Sequence, residues 1–120
     1  MAIGKIIMEY SFKNLIVWQK AHQFVIEVYQ LTKLFPSDEK YGLTSQLKRA
    51  AVSVPANIVE GYRKKGLADK KRFYNISQGS LDECQYYLIL AKDLGIEVNE
   101  KLFYLSEEVA KLLSGFIRSF

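Results

Sequence analysis

The residue types that carry most protein chemistry are sparse in this chain of 120 residues. His22 is its only histidine and Cys84 its only cysteine. A lone histidine on a helix is far more often packing or surface than a general base, and no acid–base–nucleophile set forms around it. Glu27, Glu60, Glu83 and Glu107 place one glutamate on each of four helical stretches, which raises the chemistry of a di-iron site. That site also needs Glu-x-x-His on two helices, and Gln19, not a glutamate, stands three residues before His22. Gly61 and Gly66 have the spacing of a phosphate loop, but Leu67-Ala68 follow where Lys-Ser/Thr is required. Cys84 falls on an apolar stripe with no evident charge partner to activate it, so it reads as a small hydrophobe. The expectation is a protein that is not an enzyme, with no catalytic residues, no metal and no cofactor.

The cations are more informative. Lys48, Arg49, Arg63, Lys64, Lys65, Lys70, Lys71 and Arg72 share their segment with two acids, Glu60 and Asp69. The rest of the chain holds nine Lys/Arg against eleven Asp/Glu. A local basic patch on a near-neutral body marks a polyanion partner, and the competing reading is a solvated turn. Tyr62 beside Arg63, Lys64 and Lys65 sets a ring among cations, as single-strand RNA binders do, and Tyr74 beside Arg72 is a weaker instance. Lys48, Arg49, Tyr62, Arg63, Lys64, Lys65, Lys70, Lys71 and Arg72 are therefore the candidate nucleic-acid-binding residues.

The elements that position these residues follow from composition and periodicity. The length fits one domain with one core. Apolar residues at 49% and charged residues at 25% are ordinary for a folded chain. Two prolines among long stretches of Leu, Lys, Glu, Gln and Ala favour an all-helical fold. The first helix is expected over residues 15–34, with Leu15, Trp18, Ala21, Val25, Val28 and Phe35 inward. Phe35-Pro36 ends it, and Ser37 could cap the next helix. The second helix is expected over residues 41–62, with Leu43, Leu47, Ala50, Val54, Ile58 and Gly61 inward. Pro55 lies inside that pattern, and the unbroken phase of the stripe favours one kinked helix over two.

At about 100° per residue, Val52 and Val59 fall opposite this stripe, a second packing surface. The third helix is expected over residues 69–94, with Phe73, Ile76, Ser80, Cys84, Tyr87, Leu90 and Leu94 as its stripe. Tyr74, Leu81, Leu88 and Ile89 broaden it, and a helix so apolar all round is covered on more than one side. Val52, Val59, Leu81 and Ile89 are thus the candidate oligomer interface. Gly95 ends the helix. The fourth is expected over residues 99–117, with Leu102, Leu105, Val109, Leu112 and Phe116 as a heptad seam and Glu107–Lys111 as a surface pair. Four such helices with short connections make an up-down-up-down bundle over residues 13–120, preceded by an extension over residues 1–12. Met8 competes with Met1 as the start. A single cysteine points to a reducing compartment, here the cytoplasm. No apolar run approaches a membrane span, and no signal peptide is visible.

Four segments resemble one family: LIVWQKA at 15–21, VYQLTKLFP at 28–36, YGLTSQLKRAAVSVPANIVEG at 41–61 and GSLDE at 79–83. They are similar to the bacterial four-helix bundle proteins encoded in intervening sequences of 23S rRNA genes, often labelled ribosomal-protein-like. The resemblance covers residues 12–95. It implies a left-handed bundle that assembles into a ring, typically a homopentamer, without enzymatic activity. A related accessory protein of diversity-generating retroelements uses such a pentamer to bind RNA and a reverse transcriptase. The partners so implied are further copies of the chain, RNA, or a protein. The family's motif positions fall on Asn57, Glu60, Gly61, Gly79, Ser80 and Glu83. The resemblance implies structural roles there, with Gly61 and Gly79 permitting close helix approach.

Overall fold

The computed structural model describes residues 11–120. The expected extension, and the choice between Met1 and Met8, fall almost wholly on residues 1–10, outside the described residues. Four helices follow: α1 (Ile16–Thr32), α2 (Leu43–Arg63), α3 (Leu67–Asp93) and α4 (Glu100–Arg118), with 3-10 turns at Phe12–Asn14 and Ser37–Glu39. Each helix packs on the next and α4 returns to α1, closing an up-down-up-down bundle. The most extensive contact is between α2 and α3.

Local chemistry sets the helix ends. Leu43 N–H donates to Glu39 Oε1 at 3.3 Å, so Glu39, and not Ser37, caps the positive start of α2. Lys101 N–H donates to Asn99 Oδ1 at 2.9 Å, a side-chain cap for α4. After α3 the chain turns through Gly95 at φ +89°, a conformation that glycine adopts without a Cβ penalty.

Pro55 neither divides nor ends α2, which runs through it unbroken. Small polar side chains tie this part of α2 to α3. Asn57 Nδ2 donates to the Ser53 carbonyl at 2.8 Å and to Ser53 Oγ at 2.9 Å. Ser77 Oγ donates to the Val54 carbonyl at 2.7 Å, and Ser80 Oγ donates to Ser53 Oγ at 2.8 Å. Buried hydroxyls that find partners stabilise such a seam by about 1 kcal/mol each. Their short side chains let the two backbones approach.

The expected inward stripe of α2 is buried throughout, joined by Ala51 and Pro55. The other stripes are displaced by about one residue. In α1 the buried positions are Val17, Ala21, Phe24, Val28 and Leu31, with Trp18 and Val25 on the flanks. In α3 they are Tyr74, Ser77, Ser80, Leu81, Cys84, Leu88 and Ala91, while Ile76 and Leu94 are exposed. Serines and alanines build the α2–α3 seam, and a stripe drawn through large apolar residues passes beside it. In α4, Leu102, Ser106, Val109 and Leu113 are buried, and Leu105, Leu112 and Phe116 pack against the core from the sides.

Two positions differ from their expected roles. Leu81 is 1% exposed and belongs to the core, so it presents nothing to a second subunit. Gly79 is exposed, and a Cβ built on it meets nothing within 4 Å. Among the described residues no helix approaches there. Gly61 does permit a close approach: a Cβ on it would fall on the edge of the Tyr74 ring, 2.7 Å from Cδ1. On α4, Glu107 and Lys111 do not pair. The neighbouring Glu108 instead reaches Lys20 of α1 at 3.5 Å.

Candidate nucleic-acid interface

The up-down order brings the end of α2, the start of α3, the start of α1 and the end of α4 to one pole of the bundle. At that pole lie Arg63, Lys64, Lys65, Lys70, Lys71 and Arg72 with two acids, Glu60 and Asp69. Lys13 in the turn before α1 and Arg118 in the last turn of α4 belong to the same end. Linear clustering missed these two, because only the helix order brings them there. Lys48 and Arg49 stand apart, roughly 20 Å back along α2 at 1.5 Å per residue. Lys48 Nζ lies 4.6 Å from the Tyr29 ring centroid on α1.

The cations at the pole are not equivalent. Lys70 Nζ donates to the Gly61 carbonyl at 3.2 Å and the Tyr62 carbonyl at 2.9 Å. It thereby satisfies carbonyls that the end of a helix leaves open, and its ammonium sits 5.8 Å from the Tyr62 ring centroid. Lys70 is a fastening between α2 and α3. Lys64 is 3.9 Å from Glu60, and Arg72 is 3.8 Å from Asp69. These are exposed, loose pairs of the kind that contribute little. Both cations also cover Phe73: Lys64 Nζ is 5.1 Å and Arg72 Cζ 4.5 Å from its centroid. Arg63, Lys65 and Lys71 form no ion pair among the described residues.

Tyr74 does not offer a stacking surface. It is wholly buried, with its ring 5.0 Å from Phe116 and 5.6 Å from Phe120. Its hydroxyl has no hydrogen-bond partner among the described residues. Burial, and secondarily Tyr62, pushes its pKa up to about 12. Tyr62 is only half-buried.

Elsewhere the residues with chemical potential are dispersed. His22 is exposed and stacks on Trp18 at 5.1 Å. Cys84 is fully buried, and burial, followed by the neighbouring Glu83, pushes its thiol up to about 12. Glu27, Glu60, Glu83 and Glu107 are all exposed, none turned into the bundle. Among the described residues no group of three His, Cys, Asp or Glu could hold a metal. Glu83 accepts a long hydrogen bond from the Tyr87 hydroxyl, 3.4 Å, within its own helix. A concavity of about 830 Å³ lies in a groove between α1 and α4 whose walls include Gln23, Leu31, Leu34, Tyr104 and Leu105. No helix among the described residues is long and apolar enough to cross a membrane.

Val52 of α2 is 43% and Ile76 of α3 42% exposed, and Gly79 of α3 is exposed; Val52 lies one helical turn beyond Lys48, which reaches over Tyr29 of α1. Val59 is half-buried. Ile89 faces another way, sharing a depression with Phe103 and Tyr104 of α4. The proposed interface positions therefore do not form one patch.

The molecule is a small four-helix bundle with one basic pole. The profile of the 23S rRNA-intervening sequence protein family matches residues 13–115, and the chain belongs to that family. The crystal structure of a protein with unknown function from the S23 ribosomal protein family of Bacteroides thetaiotaomicron VPI-5482 superposes with a TM-score of 0.76. It is 26% identical over 86% of this chain and 96% of its own. No curated protein matches the chain.

Proposed function

We propose that this chain is a non-catalytic, homo-oligomeric protein that associates with RNA through its basic pole. The observation that carries the reading is the set Arg63, Lys65 and Lys71: cations at one end of the bundle, without ion pairs among the described residues, and available to phosphates. Lys64 and Arg72 add to them, because their exposed acid partners are weak competitors for a phosphate. Non-catalysis is supported by the buried, poorly ionised Cys84 and by the distance of the chemical side chains from one another in the fold.

Assembly is supported by the exposed face of α3. A glycine inside a regular helix costs about 1 kcal/mol relative to alanine, and no described residue occupies the space Gly79 leaves. A neighbouring subunit lying over Ile76 and Gly79 accounts for both the exposed apolar side chain and the glycine. The pentameric ring that the family resemblance implies would repeat the basic pole around one axis and multiply its field. Electrophoretic titration with structured RNA at two salt concentrations tests the RNA reading. Binding that weakens steeply with salt supports it, and no binding at low salt overturns it. Neutralising Arg63, Lys65 and Lys71 separates it from the alternative, a scaffold for a protein partner, whose capture would survive the change.

A further inference from the structure

We infer that the basic pole holds single-stranded RNA through stacked bases as well as through phosphate charge; this rests on the RNA-associated reading above. The rings and cations at the pole are interleaved, and several are held in place. Arg72 Cζ lies over the Phe73 ring at 4.5 Å, and its side chain is 61% exposed. Its acid neighbour Asp69, at 3.8 Å, is beyond hydrogen-bond length. A guanidinium resting on an aromatic ring is pre-placed by that contact, and its outer surface is a flat platform for a base.

Across the Lys64–Gly66 turn, half-buried Tyr62 is held beneath Lys70, whose ammonium is fixed by the Gly61 and Tyr62 carbonyls. Arg63, Lys65 and Lys71 flank these two platforms and are available to the phosphates between stacked bases. A duplex fits this pole poorly. Its base faces are hidden in the stack, the deep groove of an A-form helix excludes side chains, and α2 and α3 meet the pole end-on, so neither lies along a groove.

The test is fluorescence anisotropy at low salt with three probes of equal phosphate number: an oligouridylate, an abasic ribose–phosphate strand and an RNA duplex. The proteins are the unmodified chain, Arg72→Lys and Phe73→Leu. Both substitutions keep the charge. Arg72 is exposed, so its variant tests the platform even where Phe73→Leu perturbs packing. The oligouridylate is expected to bind about tenfold tighter than the abasic strand. Each variant is expected to shrink that difference severalfold, with the Tyr62 platform retaining the rest. Equal binding of the oligouridylate and abasic strands overturns the stacking inference and leaves the phosphate reading standing. Failure of all three probes to bind overturns both.

Discussion

Gly61 and Tyr74 mark a close approach of α2 and α3, and their coupling is open to a double-mutant cycle. In Gly61→Ala the new methyl would fall on the edge of the Tyr74 ring. The ring cannot swing aside, because Phe116 and Phe120 lie 5.0 and 5.6 Å from it. Overpacking of this kind costs about 1–3 kcal/mol, and a methyl set inside a pinned ring belongs at the upper end. Alanine returns about 1 kcal/mol of helix propensity. The net loss is then about 2 kcal/mol, or a Tm roughly 8 °C lower for a domain of this size. With Tyr74→Leu as the background the obstacle is gone, and Gly61→Ala should instead stabilise by about 1 kcal/mol. The coupling between the two sites is therefore about 3 kcal/mol. Urea denaturation of all four proteins measures it, with circular dichroism confirming that each is folded. The same cost for Gly61→Ala in both backgrounds would refute the packing argument.

Three further outcomes rest on the same geometry. The Cys84 thiol, pushed up to about 12, should alkylate slowly in the folded chain at about pH 8 and rapidly in urea; equal rates would place it at the surface. The Tyr74 phenol titrates near 10 when unfolded and at about 12 when folded, so the folded chain retains a proton that the unfolded chain releases. The stability linked to it is intact below about pH 10 and is lost as the pH rises toward about 12. Tyr74→Phe should flatten that decline, with a Tm at neutral pH unchanged or higher because an unpartnered hydroxyl is removed. Ile76→Asp and Gly79→Ala should each shift light scattering toward smaller species; unchanged assembly in both would move the interface off this face.

How far the sequence revealed the molecule depended on which residues line each seam. Helix α2 was legible because its core positions are aliphatic and stay in phase through Pro55. The close approach at Gly61 was what the family resemblance implied, and its place on the inward stripe agrees with it. The α3 face was misread by about a residue because Ser77, Ser80 and Ala91 build the seam, while Ile76 and Leu94 sit outside it. Hydropathy counts the larger side chains and passes over hydroxyls whose partners lie on another helix. Leu81 was misplaced for the same reason. At the pole, the cluster from Arg63 to Arg72 was plain in the sequence. The division of labour within it was not. That Lys70 fastens α2 to α3 depends on distances across the turn, and that Arg72 rests on Phe73 depends on the side-chain conformation of two neighbours on α3. Tyr74 looked like a ring beside a cation and is a core residue, because helix phase turns it inward while its neighbours Arg72 and Phe73 remain near the surface.

The central claim is that the pole binds RNA through cations that form no ion pair among the described residues. The most direct measurement is the salt dependence of RNA affinity for the unmodified chain and for Arg63→Ala/Lys65→Ala/Lys71→Ala. The account predicts that log affinity falls linearly with log salt for the unmodified chain, and that the variant binds more weakly with a slope shallower by about three. An unmodified chain that fails to bind at low salt, or a variant with the same affinity and slope, would contradict it.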